Sequence, residues 1–401
     1  MRARYGSISS QHQAAITAAR VYHGRVAAPA PMALRRAALW ALLATRLAGG
    51  WGVGWDIRWH LLIGRDSFWI PPHLLTYASV AAGAVLSLGV LLHETRRARR
   101  GAGGPDTVRA AGLVGTPGFH VAWWGTALII LAAPLDDLWH RLFGIDVTLW
   151  SPPHLLGFAG SQVTGLGGLV IAREVYAPGR ARAAALALGG TFLLGTFSVL
   201  ADPAVQTAFR RGGVFFFTHA MLGGLAFTFT LVLLARLTGR RSAPLVLALG
   251  VVLVHASIIG VGDLGFALLQ PVPALEAALA GDPGSPIALA HEMARRNGGV
   301  PGRSLTLRLV PLLPAALMVL VDARRRWRLA ALVFGATLLA ASGVTLGRAP
   351  ALAHALPAPG DALLALALTL AAALAGGWCA VRLAAVLEPA GGAPARTAAQ
   401  V

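Results

Sequence analysis

The chain has 401 residues, of which 56% are hydrophobic and only 12% are charged, whereas soluble globular proteins carry about 25% charged residues. This composition excludes an ordinary water-soluble protein and favours an integral membrane protein. A net charge of +18 would suggest a nucleic-acid partner in a soluble protein. Here the basic residues are distributed as in membrane proteins, and no nucleic-acid partner is expected.

Ten apolar segments approach the roughly 20 residues that cross a hydrocarbon core. They predict an all-α, polytopic transmembrane bundle of about ten helices, at about 37–55, 74–93, 116–135, 154–172, 183–201, 213–235, 244–263, 304–321, 329–346 and 361–387. Four regions follow from this pattern: a disordered cytoplasmic tail (1–31), a region of repeated helix hairpins (32–240), further transmembrane helices (241–388) with an external loop near 271–303, and a second cytoplasmic tail (389–401).

The arginine distribution predicts the orientation of the chain. Every basic residue is arginine, and an N-terminus in the cytoplasm would place 23 arginines on the cytoplasmic side and ten on the opposite side. Cytoplasmic loops are enriched in Arg and Lys. We therefore expect a protein of the cell or inner membrane with a cytoplasmic N-terminus.

One stretch of sequence occurs twice. "DIRWHLLIGRDSFWIPPHLL" begins at Asp56 and "DDLWHRLFGIDVTLWSPPHLL" begins at Asp136, with twelve identities in about twenty positions. In the predicted orientation both copies lie on the extracytoplasmic side, where an outgoing helix meets its returning partner. A weaker third copy, "ADPAVQTAFRRGGVFFFTHAMLGG", keeps Asp202 and His219. The pattern predicts an internal repeat of helix hairpins about 80 residues long.

The repeated motif has the residue types of a metal site. Asp56 and His60 are four residues apart and would share one helix face. Pro71-Pro72 would start the next helix, so that His73 could point back toward them. Two imidazoles and a carboxylate form a three-ligand set for a divalent metal that leaves coordination positions open. The same groups could instead form a hydrogen-bond network that ties the loop to the helices.

The second copy offers the same set. The predicted metal ligands are Asp56, His60, His73, Asp136, His140 and His154, with Trp59, Asp66, Asp137, Trp139 and Asp146 as supporting residues and Asp202 and His219 as weaker candidates. The ligand types suit copper, iron or zinc. The only cysteine, Cys379, lies in the last apolar segment, so a cysteine metal site is not expected. Arg46 lies mid-span, and we expect a carboxylate of a neighbouring hairpin to pair with it; the alternative is that its side chain extends toward the membrane surface.

The first copy resembles the metal-binding stretch of the C subunit of the copper membrane monooxygenases, the particulate methane and ammonia monooxygenases. That subunit has an Asp, then Trp-His, an Arg-Asp pair and a proline ahead of a second His, with the ligands spaced Asp-x3-His-x12-His. The corresponding residues here are Asp56, Trp59, His60, Arg65, Asp66, Pro71 and His73. The resemblance implies copper at Asp56, His60 and His73. The second copy has one additional residue between its histidines, and the family subunit carries the motif once.

Three functions remain open at this point. The resemblance implies a copper-dependent, monooxygenase-like oxidoreductase that oxidises a small hydrophobic substrate with dioxygen, together with other membrane subunits or an electron donor. A non-catalytic protein that stores or transfers copper would need the same ligands. A proton-coupled transporter could use the acids and histidines as a relay. The partners expected in every case include the lipid bilayer, and in the first two cases a metal ion.

Overall fold

The computed structural model describes residues 32–64, 67–143, 150–202, 218–281, 286–296, 298–348 and 356–387. Both predicted tails, 1–31 and 389–401, lie outside these residues. The described residues are almost entirely helical, which confirms the all-α bundle. The helices are α1 (Met32–Leu62), α2 (Pro71–Arg99), α3 (Pro117–Phe143), α4 (Pro152–Val175), α5 (Arg180–Leu200), α6 (Thr218–Thr238), α7 (Ala243–Leu269), α8 (Glu276–Gly281), α9 (Pro286–Arg296), α10 (Thr306–Leu309), α11 (Leu312–Val321), α12 (Trp327–Leu346) and α13 (Ala362–Leu387).

Eight of the described helices are long and apolar enough to cross a membrane: α2 to α7, α12 and α13. The two other predicted spans are also helical but differ from this pattern. Helix α1 has 31 residues and carries Arg46, Asp56 and Arg58 within its length. The segment predicted at 304–321 is divided into α10 and α11 next to Pro311, because proline lacks the N–H that a continuous helix requires.

Glycines bring α3 and α4 into close contact. A Cβ atom on Gly167 of α4 would lie 2.5 Å from the backbone nitrogen of Ala122 in α3, and one on Gly160 would lie 2.7 Å from the carbonyl oxygen of Gly125. Helix α13 meets α6 in the same way, since a Cβ on Gly376 would lie 2.0 Å from the carbonyl oxygen of Leu225. Small residues permit this close approach of membrane helices.

A short β-hairpin between α2 and α3 was not predicted from the sequence. Strand β1 (Val108–Ala110) pairs antiparallel with β2 (Leu113–Gly115). Arg35 of α1 lies buried beside the hairpin and forms ion pairs with Glu94 of α2, at 2.5 Å, and with Asp106. These contacts join α1, α2 and the hairpin segment at the end of the bundle opposite to Asp56.

Candidate metal centre

The C-terminal end of α1 carries two of the predicted ligands. Asp56 and His60 lie one turn apart on this helix, as their spacing predicts. Residues of the long loop near 271–303 contact the last carbonyl groups of α1: a ring nitrogen of His291 lies 2.7 Å from the oxygen of Leu61, and the backbone N–H of Ala274 donates to Ile63 at 2.7 Å. The loop thus satisfies carbonyl groups that a helix end leaves without partners. His291 was not predicted to have this role.

The third predicted ligand is in the first turn of α2. This helix begins at Pro71, which confirms the role of the two prolines. The Nδ1 atom of His73 lies 3.1 Å from the carbonyl oxygen of Ser67. A carbonyl at this distance accepts a hydrogen bond from Nδ1–H, and in that tautomer Nε2 carries the lone pair that would bind a metal.

The two imidazole rings converge on one carboxylate oxygen of Asp56. Nε2 of His73 lies 3.2 Å and Nε2 of His60 lies 3.5 Å from Oδ1 of Asp56. One ligand atom from each residue lies within 4.8 Å of the others. The side chains are partly accessible, with 21% of His73, 23% of Asp56 and 28% of His60 exposed. The sequence-predicted set of the first hairpin is therefore assembled in space.

The dimensions of this group fit a transition-metal ion. Ligand nitrogen and oxygen atoms lie about 2.0–2.2 Å from a tetrahedral metal such as zinc, so two of them are about 3.3–3.6 Å apart. Of the two histidine–Asp56 distances, 3.5 Å lies within that range and 3.2 Å lies just below it. Oδ1 of Asp56 is shielded from solvent and has no hydrogen-bond partner among the described residues. A bound cation would satisfy this oxygen.

Aromatic and charged residues hold the end of α1 against α7. Trp55 and Trp59 are buried and pack on Phe266, with the rings of Trp59 and Phe266 stacked at 5.9 Å. Arg58 is also buried, and it donates to Asp263 at 2.6 Å and to the carbonyl of Ile259 at 2.8 Å. Trp59, a predicted supporting residue, therefore belongs to the packing that fixes the helix carrying Asp56 and His60.

The second hairpin brings together at least two of its three predicted ligands. Nε2 of His154, in the first turn of α4, lies 3.4 Å from Oδ1 of Asp136 in α3. His140 lies on α3, four residues after Asp136, but its side chain is outside the described part of the structure. Asp137 forms an ion pair with Arg141 at 2.6 Å on an exposed surface of α3.

Of the three remaining residues predicted to support the metal site, only Trp139 is among the described residues. Trp139 contacts Phe143, with ring centroids 4.4 Å apart. Asp66 and Asp146 lie outside the described residues. Their predicted roles beside the metal stay predictions.

Asp202, one of the two weaker candidates of the third hairpin, pairs with an arginine that the sequence pattern did not indicate. Arg308 of α10 donates to the carbonyl of Ser198 at 3.1 Å and forms an ion pair with Asp202 at 3.0 Å. His219 is buried, and its Nδ1 atom lies 2.8 Å from the carbonyl oxygen of Ala201. The guanidinium of Arg308 thus supplies positive charge beside Asp202.

Comparison of the chain with family models, with curated proteins and with solved structures finds no match.

Proposed function

We propose that this integral membrane protein binds a copper ion through Asp56, His60 and His73. The observation that carries the proposal is the convergence of two imidazole nitrogens, from two helices, on one carboxylate oxygen at 3.2 and 3.5 Å. The alternative is a network of hydrogen bonds and ion pairs; Oδ1 of Asp56 accepts no hydrogen bond from the described residues, and its contacts are the two distances to the ring nitrogens of His60 and His73.

Copper is the ion we favour among those that suit imidazole and carboxylate ligands. Two arguments support it: Cu(II) binds such sites more tightly than the other divalent first-row metals, and the motif resembles the copper-binding stretch of the monooxygenase C subunit. Asp136 and His154, with His140, are the corresponding ligands that we propose for a second ion. Iron and zinc are the competing occupants.

A copper ion with three protein ligands would retain open coordination positions. An enzyme of the monooxygenase type would use these positions for dioxygen chemistry on a small hydrophobic substrate, which could enter from the bilayer. In that case Asp56, His60 and His73 hold the ion, and electrons come from a donor or from other membrane subunits. This activity is the function that we propose first.

The partial exposure of all three ligands favours a second candidate function. An ion held by side chains that are 21–28% exposed can exchange with copper carriers in the surrounding solution. The protein would then store or transfer copper without oxidising a substrate. Copper binding in the absence of any oxygen consumption under reducing conditions distinguishes this function from the first.

Metal analysis of the detergent-purified full chain tests copper binding. We expect the wild-type protein to retain copper after removal of weakly bound ions, and His60→Ala or His73→Ala to lose the equivalent of one site. His93→Ala is a matched control, because His93 lies exposed at the far end of the same helix α2 that carries His73. Asp56→Asn keeps the shape of the side chain but removes its charge, and it should lower the copper affinity more than the about 10–100-fold typical of supporting residues.

The contrary results are equally specific. Copper at background level in the wild-type protein, or equal copper content in the wild-type protein and the His60→Ala/His73→Ala variant, would refute the proposal. Retention of zinc or iron, but not copper, with the same dependence on His60 and His73 would support the metal site but show that copper is not the bound ion.

A further inference from the structure

Aromatic side chains connect the candidate metal centre with the surface of the protein. The ring of Tyr77 lies 5.8 Å from the ring of His73, measured between centroids, and the rings of His73 and His60 are 6.4 Å apart. Phe68 contacts Tyr77 at 4.9 Å, and Trp69 contacts Phe68 at 4.8 Å. Centroid distances of this size are those of interacting aromatic pairs. The rings thus form a continuous aromatic path from a predicted metal ligand to Trp69, which is 70% exposed.

Two local features place these rings side by side. His73 and Tyr77 are four residues apart in the first turns of α2, and this spacing puts side chains on one helix face. Phe68 and Trp69 belong to the short turn between α1 and α2, in which the carbonyl oxygen of Ser67 lies 3.1 Å from Nδ1 of His73. The turn that orients the ligand therefore also carries the outer half of the aromatic path.

Hydrophobic burial does not account for this outer half. Phe68 and Trp69 are 54% and 70% exposed, and rings that remain so accessible stabilise the fold little through burial of apolar surface. A position at the membrane–water interface explains an exposed tryptophan in a membrane protein. It does not explain why the ring contacts continue, one after another, to a ligand of the candidate metal centre.

The second hairpin lacks the oxidisable tyrosine of this path. Phe158 takes the place of Tyr77, four residues after His154, and a phenyl ring has no hydroxyl hydrogen to lose. Trp150 takes the place of Trp69, and its indole N–H donates to a backbone carbonyl at the end of α5 at 3.1 Å. The two candidate metal sites therefore differ in their redox surroundings, although their predicted ligands are the same.

We propose that Tyr77 is an electron donor that protects the ligands of the first metal site from oxidation. This inference rests on the proposed function, because the oxidant arises from copper held by Asp56, His60 and His73. Reduced copper cleaves hydrogen peroxide to hydroxide and a hydroxyl radical, and is itself oxidised from Cu(I) to Cu(II). A radical formed there attacks the imidazole rings unless a more easily oxidised group lies beside them. A phenol is such a group.

The protection takes place in three steps. The phenol of Tyr77 gives one electron and one proton to the hydroxyl radical, which becomes water, and a phenoxyl radical remains. The indole of Trp69 then gives one electron across the ring of Phe68 and its N–H proton to water, while the phenoxyl oxygen takes up a proton from water. At the exposed surface, a reductant such as ascorbate returns one electron and one proton to Trp69. Peroxide and reductant are consumed, and the protein is unchanged.

Treatment of the copper-loaded full chain with ascorbate and hydrogen peroxide tests the proposal, once metal analysis has established the copper content. Freeze-quench electron paramagnetic resonance should show a tyrosyl radical in the wild-type protein and none in Tyr77→Phe. Peptide mass spectrometry should find at least threefold more oxidation of His60 and His73 in this variant. Tyr176→Phe is the matched control, because Tyr176 also contacts a tryptophan, accepting a hydrogen bond from Trp40 at 2.9 Å, but at the opposite end of α1.

The metal-free chain tests the aromatic path separately from copper binding. A photo-oxidised ruthenium complex in solution removes electrons from exposed tryptophans. We expect a tyrosyl radical that is lost in Tyr77→Phe and at least threefold weaker in Trp69→Leu. Trp378→Leu, which removes another exposed tryptophan, should leave the signal unchanged. Tyr77→Phe keeps the aromatic ring and its contacts, so we expect its thermal transition to be that of the wild-type protein.

Three results would overturn the proposal: a tyrosyl radical of equal yield in the wild-type protein and in Tyr77→Phe, no tyrosyl radical in the wild-type protein in either experiment, or equal oxidation of His60 and His73 in both proteins. A chain without copper fails at the metal analysis, before peroxide is added, and this identifies the proposed function as the part that is wrong. A Tyr77 radical in the metal-free chain would still support the path.

Discussion

Arg35, Arg58 and Arg308 are buried, and each is neutralised by a carboxylate. This pairing determines how much stability is lost when one of these arginines is replaced. When one member of a buried ion pair is removed, the other is left as an uncompensated charge, which costs about 3–5 kcal/mol. The pair of Arg308 and Asp202, whose side chains are 9% and 13% exposed, is the most informative case because it occupies the third hairpin.

We predict that Arg308→Met destabilises the protein by about 3–5 kcal/mol, since Asp202 would lose its guanidinium partner. The double variant Arg308→Met/Asp202→Asn should recover much of this loss, because it removes both charges together. Thermal unfolding in detergent, followed by circular dichroism, measures the difference. A single variant as stable as the wild-type protein, or a double variant less stable than the single one, would contradict the prediction.

The same arginine explains why the third hairpin differs from the first. In the first hairpin, the imidazole nitrogens of His60 and His73 face the oxygen of Asp56. In the third, the guanidinium of Arg308 lies at Asp202. A fixed positive charge at the carboxylate repels a metal ion, so we do not expect a metal there.

At the scale of helices, the close contact of α3 and α4 depends on glycines. These two helices carry Asp136 and His154, so their separation sets the distance between the two ligands. The backbone of Gly167 lies directly against Ala122, and any side chain at this position would force the helices apart.

We predict that Gly167→Ala lowers the thermal transition of the protein, because the added Cβ atom would lie 2.5 Å from a backbone nitrogen. Overpacking of this kind costs about 1–3 kcal/mol. Gly89→Ala on α2 is the matched control: no atom lies within 4 Å of its Cβ position, so the better helix propensity of alanine should leave stability unchanged or raise it by up to about 1 kcal/mol. Equal transitions in the two variants would show that α3 and α4 can separate without cost.

The sequence predicted those features that depend on local spacing. Apolar length placed the helices, the four-residue spacing placed Asp56 and His60 on one face, and the paired prolines placed His73 at the start of α2. Features that depend on contacts between distant segments were missed. The sequence pattern did not indicate that Arg308 would pair with Asp202, that His291 would contact the end of α1, or that Nη1 of Arg46 would donate to the carbonyl oxygen of Ser161, at 2.6 Å, and not to a carboxylate. Long-range pairing leaves no periodic signal in one sequence.

At the scale of the whole molecule, the candidate metal centre and the buried Arg35 cluster lie at opposite ends of α1. The arginine distribution predicts that the end with Arg35 faces the cytoplasm. A copper site at the other end would then exchange ions with the extracytoplasmic side. The orientation of the chain would therefore decide which copper source such a site meets.

We predict that a cysteine in place of Trp69 reacts with a membrane-impermeant maleimide in intact cells, whereas Ala102→Cys reacts only after the membrane is permeabilised. Trp69 is 70% exposed in the loop between α1 and α2, and Ala102 is exposed just after α2, so both thiols are accessible in the folded protein. The single native cysteine, Cys379, is exposed and is first replaced by serine, so that each variant carries one thiol. The reverse labelling pattern would place the metal centre on the cytoplasmic side, where it would meet a reducing environment and Cu(I). Labelling of both positions in intact cells would contradict a helix α2 that crosses the membrane.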